Sequence, residues 1–396
     1  MKSSKYLQFL WDVFICALGS YGGPEAHYGV FSKVLVDKKK YLSEEELGEL
    51  IGLYSLVPGP GSTQTITAIG YLVGGPLLAI LTFIVWALPA IVIMTGFGVF
   101  FSILGKDNSW LAIVRFLPAA AIAFIIYAAV NMTKKVVKKS DDWILYLAMV
   151  LLSFILTRYS PLFVPILLLL GGSIYYLSEN SSNTLETKKL NLKPKWSILF
   201  VVFALAVFNE VLNLWIINPY LNLYTSFYKY GYSVIGGGQV LIPLMIEDLV
   251  NAQSIISRND FLSGYAIDQA VPGPLFSFAA FVGARSMGDA VFPGFMAGVL
   301  SGLSIFLPGI LLVFFIFPLW KKSREVAWIK LFLKGVSITA AALISMTVIK
   351  QLLILPVDWL NYAVLILSSL ILLSRKMPAA LVILLALILG YIKNFV

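Results

Sequence analysis

The tetrapeptide Val-Pro-Gly-Pro occurs twice in this chain, ending at Pro60 and at Pro274, each time inside a long apolar region. Proline removes a backbone donor and breaks a helix, and glycine weakens one, so the chain must fold around both breaks. Their spacing constrains it further. Adding 214 to the residue number carries Gly22-Gly23 onto Gly236-Gly237, Glu25 onto Gln239, Glu46 onto Asp260 and the first VPGP onto the second without a gap. An insertion at 287–291 changes the shift to 219, which brings Leu88-Pro89 onto Leu307-Pro308, and later Asp142-Trp143 falls on Asp358-Trp359. The chain therefore reads as a duplication. The expected organisation is a first repeat over 1–177, a second over 220–396, and between them, at 178–219, a polar linker and an unpaired apolar helix.

Both repeats are far more apolar than a soluble domain. With 59% hydrophobic and 12% charged residues and a mean hydropathy of +0.89, many runs approach the roughly 20 residues that span a bilayer. Spanning helices are expected at 76–101, 110–133, 143–158, 161–177, 196–217, 292–320, 331–354, 359–373 and 378–392. The fold class is thus an all-α polytopic membrane protein. A net charge of +9 would suggest nucleic acid in a soluble protein, but here the lysines crowd into short loops, the ordinary membrane pattern. One cysteine, Cys16, excludes an internal disulfide, and one histidine, His27, excludes a His-rich metal cage. Pro58 to Thr63 resembles a phosphate loop without its lysine. The segment from Met1 to Gly22 has the outline of a signal peptide, but Asp12 interrupts the apolar core and the duplication makes the segment structural.

Loop charge gives the orientation of each repeat. Lys33, Lys38, Lys39 and Lys40 mark one first-repeat loop as cytoplasmic, and Lys134, Lys135, Lys138 and Lys139 another; their counterparts near Asn251 and Gln351 are poor in Lys and Arg. The remaining loops reverse the bias, sparse around Lys106 and Arg115 but dense at Lys321, Lys322, Arg324, Lys330 and Lys334. The repeats are therefore expected in inverted topology, with the unpaired helix providing the extra crossing and the substrate bound between them near mid-membrane.

The stretch 7–74 is expected to break into half-length pieces: an apolar run to Tyr21, a break at Gly22-Gly23-Pro24, a helix over 25–36, a second over 44–56, the Pro58-Gly59-Pro60 break, and a third over 62–73. These read as re-entrant hairpins, two per repeat, tolerated only where protein or a wet cavity surrounds the open backbone. Each break begins a new half-helix, with Pro24 at one first turn and Pro60-Gly61 at another, and with Ser62 or Thr63 expected as cap. Exposed N–H groups and positive dipole ends near Pro24, Gly61, Gly238 and Leu275 would then converge on an anion. The candidate binding residues are Gly22, Gly23, Pro24, His27, Gly59, Pro60, Gly61, Ser62, Thr63, Gln64, Gly237, Gly238, Gln239, Gln269, Gly273, Pro274 and Ser277. Glu25, His27 and Asp268 are the coupling candidates. No metal site, cofactor or catalytic constellation is expected.

Gly22-Gly23-Pro24-Glu25-Ala26-His27, the basic stretch Lys38 to Leu42, Pro58-Gly59-Pro60 with Gln64, Gly236-Gly237-Gly238-Gln239 and Gln269 to Pro274 together resemble the two-domain chromate ion transporters of the CHR family. The resemblance covers nearly the whole chain and implies a carrier of chromate, or of the isosteric sulfate, in the cytoplasmic membrane. The family often has Gln where this chain has Ser55, Trp in place of Tyr41, and a small or apolar residue in place of Glu25. A carboxylate at Glu25 would oppose a dianion unless protonated or turned away. The expected partners are an inorganic oxyanion and the lipid bilayer, not nucleic acid, with a homodimer as the candidate assembly and the N-terminus in the cytoplasm. An anion channel on the same scaffold, or a membrane-embedded enzyme acting on lipid phosphate, are the alternative readings.

Overall fold

The computed structural model describes residues 2–20, 24–54, 57–104, 113–156, 163–180, 194–234, 241–320, 327–374, 377 and 379–395. Every regular element among them is helical. The chain opens with α1 (Lys2–Gly19) and α2 (Pro24–Phe31), which continues as a π-helix over Ser32–Lys38, followed by α3 (Glu44–Tyr54). Next comes α4 (Gly61–Leu104), whose backbone leaves helical geometry at Gly74 and at Gly75, the latter at φ +80°. This divides α4 into a half-length arm and a full-length one that begins at Pro76, where a missing N–H removes no helical bond. Beyond it lie α5 (Leu117–Val136), α6 (Ser140–Leu156), α7 (Phe163–Asn180) and α8 (Trp196–Trp215).

The second part repeats this succession: α9 (Pro219–Ser233), α10 (Leu241–Met245) running into a π-helix over Ile246–Ala252, and α11 (Arg258–Ala270). A 3-10 turn, Leu275–Ser277, opens into α12 (Phe278–Arg285), followed by α13 (Val291–Trp320), α14 (Ala327–Ile354), α15 (Trp359–Ser374) and α16 (Ala379–Phe395). Even the irregularities recur at the offset that aligns the two VPGP breaks. The two π-helices match, as do Lys40 and Ser254, both at φ 53°, and Gly59 and Gly273, at φ 119° and 130°. The single helix expected over 25–36 thus ends in a wider coil, a feature set by packing that side-chain periodicity does not encode.

The two halves interleave. α14 packs on α5, α6 and α7, α15 packs on α5, and α12 and α13 both pack on α4. Small residues permit this closeness: a Cβ on Gly335 of α14 would lie 2.4 Å from the Gly171 carbonyl oxygen of α7, and one on Gly98 of α4 would lie 2.6 Å from that of Phe281. Among the described residues two ion pairs cross between the halves, Arg115 Nη2 to Asp358 Oδ2 at 2.8 Å and Lys334 Nζ to Asp142 Oδ1 at 3.1 Å. Lys334 is the counterpart of Arg115 at the shift of 219, and Asp358 is the counterpart of Asp142 in the later alignment. The same bond is therefore made twice, each time from the cation of one half to the carboxylate of the other.

The outer surface suits lipid. Among the described residues five helices are long and apolar enough to cross a membrane: Gly61–Leu104, Leu117–Lys134, Trp196–Trp215, Val291–Trp320 and Lys334–Ile354. Large apolar side chains project outward along α6 (Ile144, Leu147, Leu151) and α15 (Ile366, Leu367, Leu370), a belt that a water-soluble surface would not tolerate. α8 is the most exposed, burying Val202 and Asn209 but presenting Phe200, Phe203, Val207 and Phe208. Trp143, Trp196, Trp215 and Trp359 stand exposed at helix ends, where indole rings favour the membrane interface.

Candidate functional site

The two Pro-Gly-Pro breaks are tied to each other's half by backbone hydrogen bonds. Gly59 N–H donates to the Val234 carbonyl at 2.7 Å, and Gly273 N–H donates to the Ser20 carbonyl at 2.8 Å. Val234 is the counterpart of Ser20 in the duplication, so the two contacts are reciprocal. Each glycine also meets the long helix of the opposite half, Gly59 against Gly309 of α13 and Gly273 against Ala90 of α4. Positive φ at both positions explains why glycine occupies them: an L side chain is strained there, and the neighbouring helix leaves no room for a Cβ.

The half-helices that start at these breaks face one another. Pro24 at the head of α2, Pro60 to Thr63 at the head of α4, and Pro274 to Phe276 at the head of the α12 segment line one small cavity. Its volume is about 10 Å³, room for about one water. The converging helix starts expected from the sequence are therefore present at Pro24, Gly61 and Leu275, but closed around a space smaller than a tetrahedral oxyanion. Gly22, Gly23, Gly237, Gly238 and Gln239 lie outside the described residues, as does the Glu25 side chain.

Polar side chains buttress the first-half start. His27, fully buried, places Nδ1 3.0 Å from Ser62 Oγ, and its ring meets Trp86 edge-on at 5.4 Å. Trp86 Nε1 donates to Thr63 Oγ1 at 3.1 Å. These bonds correct the expectation that Ser62 or Thr63 caps α4. The helix already begins at Gly61, so both residues lie inside its first turn and turn their hydroxyls to His27 and Trp86. Gln64 Nε2 donates to the Pro58 carbonyl at 2.9 Å and to the Gly309 carbonyl at 3.1 Å, which commits its amide donors to joining the break to α13. In the second half Ser277 Oγ donates to Asp268 Oδ1 at 2.8 Å, with both residues buried. Several buried polar atoms around the breaks have no hydrogen-bond partner among the described residues: His27 Nε2, Tyr54 Oη, Gln64 Oε1, Asp268 Oδ2 and Gln269 Nε2.

Residues not singled out from the sequence complete the picture. Trp86, in mid-helix and fully buried, joins α2 to the first turn of α4. Asp12, also buried, takes Lys39 at 3.0 Å and the Tyr41 hydroxyl at 2.8 Å, anchoring α1 to the loop after the first π-helix. A run of apolar residues conceals Trp86, but Asp12 was visible as a carboxylate inside an apolar segment. Among the described residues no group of three or more His, Cys, Asp or Glu is placed to hold a metal ion.

Comparison with known proteins bears directly on these paired breaks. A family model described as chromate transporter matches residues 7–176 and again 221–391, taking in one break region each time. The chain belongs to the chromate transporter family. Its double match is that of the two-domain members. It is 26% identical to an uncharacterized transporter of Methanocaldococcus jannaschii, over 94% of this chain and 90% of that protein. It is also 26% identical to a probable chromate transport protein of Synechococcus elongatus, over 95% and 92%, and 25% identical to a chromate transport protein of Cupriavidus metallidurans, over 83% and 77%. No solved structure matches the chain. These chromate-transporter relatives are named for transport, not for catalysis, and the chain is a multi-pass membrane transporter of that family.

Proposed function

We propose that this protein is a secondary carrier of a tetrahedral oxyanion, chromate or the isosteric sulfate, across the cytoplasmic membrane, and that the anion binds where the half-helices meet. The observation that carries the reading is the cavity walled by the helix starts at Pro24, Gly61 and Leu275. Helix N-termini supply N–H donors and positive dipole ends without the desolvation of a buried lysine. The reading takes residues 1–177 and 220–396 as inverted repeats, joined by a 178–219 segment that contains α8. Reciprocal bonds at Gly59 and Gly273, and reciprocal ion pairs at Arg115 and Lys334, support a twofold relation between them, and the reversed loop charges support its inversion. A cavity holding about one water corresponds to a closed state in a carrier that opens to each side in turn, with the anion entering as the half-helices separate.

The test of function is movement of labelled chromate and sulfate in everted membrane vesicles, with and without a pH gradient. Saturable uptake of chromate that sulfate competes is expected; no accumulation of either anion above vesicles lacking the protein rejects the reading, and single-channel conductance would replace the carrier by a channel. The inverted arrangement has its own test. Cys16 is fully buried, and in a Cys16→Ser background single cysteines at Lys38 and Asn251, both exposed, report on each side. Lys38 is chosen because Lys39 holds Asp12. A membrane-impermeant maleimide added to intact cells should label position 251 and spare position 38; labelling of both to the same extent rules out inversion.

A further inference from the structure

We propose that Asp268 is the proton site of the carrier, taking up the proton that travels with the anion; the assignment rests on the oxyanion reading above. Asp268 lies near the end of α11, buried, with Oδ1 accepting from Ser277 Oγ and Oδ2 without a partner. Other buried acids are held differently. Asp12 has Lys39, Asp142 has Lys334 and the N–H groups of Lys138 and Lys139, and Glu247 has Lys350 at 2.6 Å and Asn251. Each of those carboxylates has a cation against it, whereas Asp268 has none among the described residues.

Among the described side chains no nearby element supplies one; that of Lys135 on α5 lies outside them. α11 packs on α5, α12 and α16, and more lightly on α4, the second π-helix and the Leu275–Ser277 turn. Of the charged groups these carry, Lys134 and Lys393 are exposed, Arg285 is paired with Asp260 at 3.1 Å, Glu247 with Lys350, and Asp248 accepts from Tyr230. On α11 itself Arg258 is bonded to Asn251 and Gln351. Tyr265 lies buried one turn back on α11. Tyr71 and Tyr127, on α4 and α5, are half-buried, and Tyr391 is exposed.

A carboxylate inside a membrane protein without a counter-ion is so unfavourable that such residues mark proton and ion pathways. For Asp268 the proton fills the place the lysines fill elsewhere. Ser277, its hydrogen-bond partner, directly follows Leu275 and Phe276 of the cavity lining, which places Asp268 behind that wall of the cavity. A dianion at that terminus repels an ionised Asp268 and tolerates a neutral one, so anion and proton each raise the affinity for the other. Both then cross in the same direction. One proton enters from the water on the loading side, is held as the carboxylic acid, and leaves to water on the other side.

The experiment uses the full chain in proteoliposomes containing a pH-sensitive dye, with chromate added outside at equal pH. Chromate titrates near neutrality itself, so the difference between parent and Asp268→Asn is read. That variant is isosteric and keeps an acceptor for Ser277. The parent should bring protons in with chromate and lose chromate affinity by up to about tenfold per pH unit as a single linked proton is removed. Asp268→Asn should still bind chromate, with the extra proton flux gone and the pH dependence reduced to that of the anion. Proton flux and pH dependence equal to the parent's overturn the proton assignment and leave the anion site standing. A parent that binds neither chromate nor sulfate overturns both. A further measurement on the parent alone keeps the test independent of any variant: an apolar carbodiimide, which attacks protonated carboxyls, should modify Asp268 and spare the ion-paired Asp142 and Glu247 by peptide mass spectrometry. Absence of label on Asp268 counts against the proposal.

Discussion

Ser62→Asp is expected to reach the membrane at the parental level and to lose oxyanion transport, while Ser62→Ala keeps a substantial part of it. Ser62 lies in the first turn of α4, 3.0 Å from His27 Nδ1, and lines the cavity. The positive end of the helix and the His27 ring nitrogen offset part of the cost of burying a carboxylate at this position, and the monodispersity of the purified variant checks that folding is preserved. Transport is a different matter. The new charge occupies the place proposed for the anion, and a like-charge contact at about 4 Å with an effective dielectric near 20 costs roughly 4 kcal/mol per pair of unit charges. That corresponds to about a thousandfold in affinity. Ser62→Ala removes only the hydroxyl, leaving His27 Nδ1 without its partner, a loss of about 1 to 3 kcal/mol if no water replaces it. Labelled chromate uptake at matched expression decides the matter. Transport by Ser62→Asp equal to the parent would place the anion elsewhere and reduce the break to a structural kink.

The same residue shows where reading from sequence stops. Pro, Gly and their spacing act locally, so the helix breaks and the long apolar runs were legible: the expected run at 76–101 became the second arm of α4, and 292–320 became α13 with an added residue. Side-chain partners are not local. Ser62 and His27 are 35 residues apart, and Gln64 and Gly309 are 245 apart, so no periodicity announces that Ser62 supports a ring and Gln64 spans the halves. The π-helices at Ser32–Lys38 and Ile246–Ala252 were equally hidden, since a wider coil changes no composition. Arg115 and Lys334 were read for orientation alone, yet the matching of Asp142 with Asp358 already contained their pairing: whatever one half bonds to across the interface, its counterpart bonds to in return.

That reciprocity makes the glycines of the two breaks sensitive positions in the fold. Gly273→Ala is expected to lower the apparent melting midpoint sharply in fluorescence-detected size-exclusion chromatography. Its φ of +130° is one an alanine rarely adopts, and its Cβ would lie 2.5 Å from the Cβ of Ala90. Backbone strain of about 1 to 3 kcal/mol and overpacking of a similar size act together, at the point where Gly273 N–H joins the second break to Ser20. Gly59→Ala meets Gly309 Cα and Gln64 Nε2 at 3.0 Å, a softer contact, and should be damaging to a lesser degree. The two contributions separate in a double-mutant cycle. Ala90→Gly recreates opposite Gly273 the glycine that Gly59 already faces at Gly309, and alone it should weaken α4 by about 1 kcal/mol or less. In the Gly273→Ala background it should instead recover part of the lost stability, because it removes the methyl collision but not the strained φ. Additive effects, within about 0.5 kcal/mol, would mean that α4 gives way to the added methyl, so that only the backbone conformation of the break, and not its contact with the opposite half, requires glycine.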